Sequence, residues 1–284
     1  MTRPTHAVIS LAALDVRRRP DHKAELTSQL LLGEVVRVLG DRRDRRWWRV
    51  ENLTDGYRGW VRGWGLVFTS GGRARFWQNS ATARVAVPAT EARTGRGRGP
   101  LVSPLFLNSR VIAGRRQGLH RQVELPDGRR GWVRSGALAT RETPPRLVAR
   151  VRGLLGAPYH WGGRTPLGFD CSSFVQQILA EQGMSLPRDC LHQFKASRAL
   201  GKSESPQEGD LVFFAAPGAR AGHVGIWLPG GCFAHCRGAV RISSLDRHNL
   251  LCDKELIRQF IGWRRLRAQV VRGRRKDTRG VESA

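Results

Sequence analysis

The chain has 284 residues, 40% of them apolar and 25% charged, a balance that supports two or three folded domains and excludes a chain without a core. Lys and Arg number 49 against 23 Asp and Glu, a formal net charge of +26 carried mostly by Arg. Such a charge suits contact with polyanions through an Arg-rich surface, or simply a solvated face.

Residues 1–28 lack an apolar run after a basic start, so the expected location is cytoplasmic, with export by another route left open. No apolar stretch approaches the roughly 18 residues of a membrane span. The first strong signal is an internal repeat. Asp55-Gly56-Tyr57-Arg58-Gly59-Trp60-Val61-Arg62 returns as Asp127-Gly128-Arg129-Arg130-Gly131-Trp132-Val133-Arg134. Leu26-Thr27-Ser28-Gln29-Leu30-Leu31-Leu32 is echoed by Leu101-Val102-Ser103-Pro104-Leu105-Phe106-Leu107. Short alternating runs broken by Gly and Asp-Gly turns predict small all-β units. Core packing is the ordinary expectation for Trp60 and Trp132.

Thr143-Pro144-Pro145 reads as a stiff linker. Leu147 to Leu155 carries helical spacing, and residues 147–266 read as one mixed α and β domain. Residues 267–284 form a charged tail without apolar period, expected to be disordered.

Within the third domain, Trp161-Gly162-Gly163 leads to Phe169-Asp170-Cys171-Ser172-Ser173-Phe174, and then to a helical pattern ending near Gly183. Asp170 is a plausible N-cap. It places Cys171 in the first turn, where free N–H groups and the helix dipole favour a thiolate. Downstream, His223-Val224-Gly225-Ile226-Trp227-Leu228, a turn at Pro229-Gly230-Gly231, and Cys232-Phe233-Ala234-His235-Cys236 read as a β-hairpin. A three-residue loop sets His235 opposite Gly225 and puts His223 and His235 on one face. A loop longer or shorter by one residue would separate them. A thiolate with a base and a group that orients the base is the arrangement nucleophilic catalysis needs. Cys190, Cys232, Cys236 and Cys252 lack a comparable setting.

Residues 5–68 and 72–140 resemble bacterial SH3-like domains, the second copy being degenerate. Residues 147–266 resemble the NlpC-like cell-wall peptidases of the papain-like superfamily. The matching stretches are Gly156 to Gly163, Phe169 to Val175, Leu186-Pro187-Arg188-Asp189, Gly209 to Phe214, and Gly222 to Ile226. The resemblance implies a multidomain architecture, two all-β SH3-like barrels followed by an α+β papain-like catalytic domain. It implies Cys171 as nucleophile, His223 as base and His235 as its orienting partner. Tyr159, Asp170, Ser172, Arg188 and Asp189 would contact substrate. Asp55 and Tyr57 of the first barrel could wall the groove, or serve only their turn. SH3-like units without a leader further resemble recycling enzymes that cut γ-D-glutamyl-diamino acid bonds. Their substrates are peptidoglycan stem peptides or muropeptides with a free N-terminal L-Ala. No cofactor is expected, and the oligomeric state is open.

Three other readings follow from the same residues. Cys232, His235, Cys236 and Cys252 could form a zinc set, although the spacing lies on a predicted strand. The Arg excess and barrels could serve wall or polyanion binding without catalysis. An acyl-enzyme on Cys171 could also serve acyltransferase or amidase chemistry.

Overall fold

The structure, a computed structural model, describes residues 4–41, 46–139, 146–218 and 220–267. The Thr143-Pro144-Pro145 linker and residues 268–284 of the tail lie outside them. Among the described residues, the first barrel has seven strands: β1 (His6–Ile9), β2 (Ala13–Arg17), β3 (Leu26–Leu31), β4 (Val35–Asp41), β5 (Trp47–Asn52), β6 (Arg58–Arg62) and β7 (Leu66–Thr69). Their order is β3-β2-β6-β5-β4-β1-β7. Alternation drives this sheet: Val16, Leu30, Val50 and Val61 point into one buried cluster, and most of their strand neighbours are less buried.

The predicted start of the second unit at residue 72 falls inside a helix, α1 (Gly71–Ser80), which the periodicity did not announce. Ser70 Oγ caps it by accepting from the Arg73 N–H, and the buried Trp77 indole donates to the Gly33 carbonyl at 2.9 Å. The second barrel follows as β8 (Ala83–Val85), β9 (Ala89–Arg93), β10 (Leu101–Phe106), β11 (Arg110–Gln117), β12 (His120–Glu124), β13 (Arg130–Arg134) and β14 (Leu138–Ala139). Its order, β10-β9-β13-β12-β11-β8-β14, is that of the first barrel strand for strand. The sequence of this copy has drifted while its topology has not.

Trp60 and Trp132 are outside the buried cores, contrary to expectation. Val61 and Val133 take the inward positions on β6 and β13, so the adjacent tryptophans must face the other way. The buried tryptophans are Trp47, Trp48 and Trp77.

The third domain contains α2 (Leu147–Arg152), a two-stranded ribbon of β15 (Arg164–Thr165) and β16 (Gly168–Phe169), α3 (Cys171–Ala180) and α4 (Cys190–Ala196). It also contains β17 (Ser197–Ala199), β18 (Leu211–Phe214), β19 (His223–Leu228), β20 (Cys232–Arg237), β21 (Ala239–Ser244), α5 (Lys254–Gln259) and β22 (Phe260–Leu266). The sheet runs β17-β22-β18-β19-β20-β21. Helix α3 packs Phe174, Val175 and Ile178 into a core shared with Phe213, Val224 and Ile226. Helix α2 is a turn shorter than its periodicity suggests, because the chain turns at Gly153.

Barrel one is fastened to the third domain beside α3. The buried Arg164 guanidinium forks onto Glu34, Nη2 to Oε1 at 2.9 Å and Nη1 to Oε2 at 3.0 Å, and also donates to the Gln29 carbonyl. Both terminal nitrogens of this buried guanidinium are matched, while its Nε has no hydrogen-bond partner. Gly162 completes the joint. Its φ is +76°, and a Cβ there would stand 2.7 Å from the Leu26 carbonyl oxygen, so only glycine fits. Barrel two attaches where Arg84 and Arg150 meet the buried Glu181 and Asn108 donates to Gln177.

Candidate active site

Asp170 caps α3. Its Oδ1 accepts from the Ser173 N–H at 2.8 Å, and the Ser173 hydroxyl accepts from the Asp170 N–H at 3.1 Å. The capping box starts the helix at Cys171 and puts the thiol in the first turn, where backbone N–H groups have no intrahelical acceptor. Cys171 is buried, and its thiol acts electrostatically on the half-exposed Tyr159.

The hairpin has the three-residue loop that the sequence suggested. Leu228 pairs with Cys232, and Gly225 lies opposite His235. This register brings His223 Nε2 to 2.8 Å from His235 Nδ1. The other ring nitrogen of His223 is left for Cys171, with which the imidazole shares a hydrogen bond. His235 is fully buried, and its Nε2 lies 3.0 Å from Ser243 Oγ. Burial, followed by the nearby charges of His223, Arg241 and Arg237, lowers the His235 pKa to about 2. A neutral imidazole has one donor and one acceptor nitrogen. A neutral His235 can thus accept at Nδ1 from a His223 N–H while donating from Nε2 to Ser243. A directed chain results: Cys171, His223, His235, Ser243.

A second thiol stands at the first. Cys190 opens α4, next to the N-cap Asp189, and its thiol interacts with that of Cys171. That interaction, and then the hydrogen bond and positive charge of His223, hold the Cys171 thiol well below the usual range against the opposing pull of burial. The proton stays on Cys190, whose pKa is pushed up first by Cys171 and then by burial. Cys236 is also close, but its thiol donates to the Phe169 carbonyl at 3.3 Å, and burial raises it to about 12. Burial, and then the negative charge of Cys171, push the Tyr159 phenol up, so it remains a neutral donor.

The residues expected at the substrate divide into two groups. Asp170, Ser172 and Arg188 are buried behind the thiol and occupied with one another. Arg188 Nη2 meets Asp170 Oδ2 at 2.5 Å, and Nη1 reaches Asp170 Oδ1 at 3.0 Å and Ser172 Oγ at 3.1 Å. Asp170 Oδ2 also accepts from the Gly162 N–H, and Arg188 Nε donates to Ser28 Oγ of barrel one at 3.0 Å. These three groups are held in one buried network behind the thiol. Asp189 is different: its carboxylate is 42% exposed, 3.5 Å from His192 Nδ1. Burial, against the pull of Arg188, raises its pKa. Tyr57 extends from barrel one toward Asp189, and its phenol is raised by burial and by that carboxylate. Asp55 does not face the groove. Its Oδ1 accepts from the Tyr57 N–H at 3.0 Å and its Oδ2 from Gln176 Nε2 at 3.0 Å, which ties the turn to α3.

Two members of the constellation carry no sequence signal of their own, Cys190 and Ser243. Each arrives through tertiary packing, Cys190 on a separate short helix and Ser243 on the strand paired with His235's strand. The imagined zinc set does not converge. Cys232 donates to the Gly230 carbonyl, Cys236 to that of Phe169, and both nitrogens of His235 are engaged. Among the described residues, no group of three or more His, Cys, Asp or Glu is arranged to hold a metal ion. None of their helices is long and apolar enough to cross a membrane.

Residues 156–256 match the NlpC/P60 family, and residues 16–65 match the bacterial dipeptidyl-peptidase SH3 domain. A γ-D-glutamyl-L-lysine dipeptidyl-peptidase of Bacillus subtilis is 41% identical over 105 residues, 36% of this chain and 35% of that protein. One from Bacillus cereus is 34% identical over 130 residues, 42% of this chain and 39% of its own length. The chain thus spans less than two-fifths of the length of these curated relatives. A crystal structure of an NlpC/P60 family protein from Bacillus cereus covers 92% of this chain and 99% of its own, with a TM-score of 0.77 at 22% identity. That likeness is one of fold, and it extends through both barrels.

Proposed function

We propose that this chain, an NlpC/P60 domain preceded by a bacterial SH3 domain, is a cysteine peptidase that hydrolyses the γ-D-glutamyl-diamino acid bond of peptidoglycan-derived peptides. The observation that carries the reading is the thiol at a helix N-terminus, hydrogen-bonded to His223, whose far nitrogen is held 2.8 Å from His235. The Cys171 thiolate attacks the γ-carbonyl carbon. The oxyanion meets the Cys171 N–H and the Tyr159 hydroxyl, donors worth several kcal/mol at such a position. His223 passes its proton to the departing amine and then takes one from the water that hydrolyses the thioester. Throughout, His235 holds the ring of His223 and Ser243 holds that of His235. Asp170, Arg188 and Ser172 position the helix and do not touch the peptide.

Barrel one closes one end of the groove with Tyr57, beside Asp189. A partly exposed carboxylate next to a phenol suits an ammonium, so the favoured substrates carry a free N-terminal L-Ala. Under this reading the substrates are soluble wall fragments, and the enzyme belongs to their recycling in the cytoplasm.

The test offers the chain L-Ala-γ-D-Glu-L-Lys and its N-acetylated form. Cleavage of the first, strong discrimination against the second, and loss of that discrimination in Asp189→Asn support the proposal. Equal cleavage of both peptides contradicts the ammonium site, and cleavage of neither contradicts the peptidase reading.

A further inference from the structure

The hydrolytic mechanism has no covalent use for Cys190, yet this thiol is the immediate neighbour of the nucleophile. Both cysteines open helices that follow an aspartate N-cap, α3 after Asp170 and α4 after Asp189. The two helix starts are bound to each other. Gln193 Nε2 donates to the carbonyls of Ser172 and Pro187, each at 2.9 Å, and Arg188 forks onto Asp170. The first turns of α3 and α4 are therefore held together, and the two thiols at their starts interact side chain to side chain. Cys190 is partly exposed, so its side chain can turn without opening the core.

We propose that Cys190 is a resolving thiol, and that oxidation of the nucleophile by a peroxide closes a reversible Cys171–Cys190 disulfide that shuts the active site. The Cys171 thiolate attacks one peroxide oxygen, the O–O bond breaks, and the sulfur becomes a sulfenic acid as hydroxide leaves and is protonated to water. Cys190 then attacks the sulfenic sulfur, the S–O bond breaks, and the departing hydroxide takes the Cys190 proton. In sum, two thiols and one hydrogen peroxide give one disulfide and two waters. A thiolate is the species peroxide oxidises, and a neighbouring thiol on a helix start tied to that of the nucleophile can close a sulfur–sulfur bond of about 2.0 Å. Cys236 is a poorer partner, being buried and engaged with the Phe169 carbonyl. The disulfide removes the nucleophile while protecting it from sulfinic and sulfonic acid, which thiols do not reverse.

The full chain is treated with hydrogen peroxide, quenched by alkylation, and mapped by peptide mass spectrometry. This readout is independent of any substrate, so it stands or falls separately from the peptidase reading. The expected product is an intramolecular peptide pair joining Cys171 and Cys190. Dithiothreitol should remove it, and Cys236→Ala should still form it. Cys190→Ser should instead accumulate the sulfinic and sulfonic forms at Cys171. Where peptide cleavage is measured in parallel, the loss should recover with dithiothreitol in the parent chain and persist in Cys190→Ser. Over-oxidised Cys171 in the parent chain, a Cys171–Cys236 pair, or unmodified Cys171 would each overturn the proposal.

Discussion

Arg188 offers a sharp test of how the nucleophile is held. The side chain is 2% exposed and donates to Asp170 Oδ1, Asp170 Oδ2, Ser172 Oγ and Ser28 Oγ. Replacing it by Met keeps the volume and removes the charge. Asp170 is left as a buried carboxylate, supported only by the Ser173 and Gly162 N–H groups and the Ser172 hydroxyl. Removing one partner of a buried ion pair typically costs about 3–5 kcal/mol. The remaining donors put Arg188→Met at the lower end, about 3 kcal/mol, which corresponds to a fall of roughly 6–12 °C in the melting temperature of a domain this size. Arg188→Lys should recover only part of this, because an ammonium cannot fork onto both carboxylate oxygens. Calorimetry of the two variants, together with Asp170→Asn and the double variant, gives the coupling between the pair. An unchanged melting temperature in Arg188→Met, or strict additivity with Asp170→Asn, would refute the claim that this pair fixes the start of α3.

Further outcomes follow from the same geometry. His223→Ala should lower the rate by about 10²–10⁴, the usual weight of a general acid–base. His235→Ala should lower it less and Ser243→Ala least, because each acts through the next; steady-state kinetics on the tripeptide would check the order. Iodoacetamide should alkylate Cys171 rapidly at neutral pH and slow only as pH falls through the depressed thiol pKa. In Cys190→Ala the main cause of that depression is gone, so the fall should begin at higher pH, and identical profiles would contradict the assigned hydrogen bond. Gly162→Ala forces a Cβ against the Leu26 carbonyl at a positive φ, and should cost about 1–3 kcal/mol, measured by thermal unfolding.

Much of the site could be read from the sequence wherever the signal was local. The capping aspartate, the apolar spacing after Cys171 and the Gly183 stop define α3. The loop at residues 229–231 fixes the register that brings His223 to His235. What escaped was tertiary. Arg188 and Asp170 are charged residues beside a nucleophile, and that pattern suggests substrate contact. Only the fold shows them buried against each other, with Ser28 of a barrel some 160 positions away as third partner. Cys190 and Ser243 become neighbours of the triad through helix and strand packing that no spacing predicts. Helix α1 begins with Gly71-Gly72 and has a weak apolar face, so its stability comes from Trp77 and Ala74 seated on barrel one. The second barrel lost the resemblance but kept every strand, because its core asks only for apolar residues at alternate positions, such as Ala83, Val85, Leu105 and Val111.

The most direct measurement of the central claim is intact-mass analysis of the chain rapidly quenched in acid during turnover of L-Ala-γ-D-Glu-L-Lys. The account predicts a transient L-Ala-γ-D-Glu thioester that maps to Cys171, release of free lysine, and neither product from a Cys171→Ala chain with unchanged thermal unfolding. Lysine release by the Cys171→Ala chain at the parent rate, or an acyl adduct on any other residue, would contradict it.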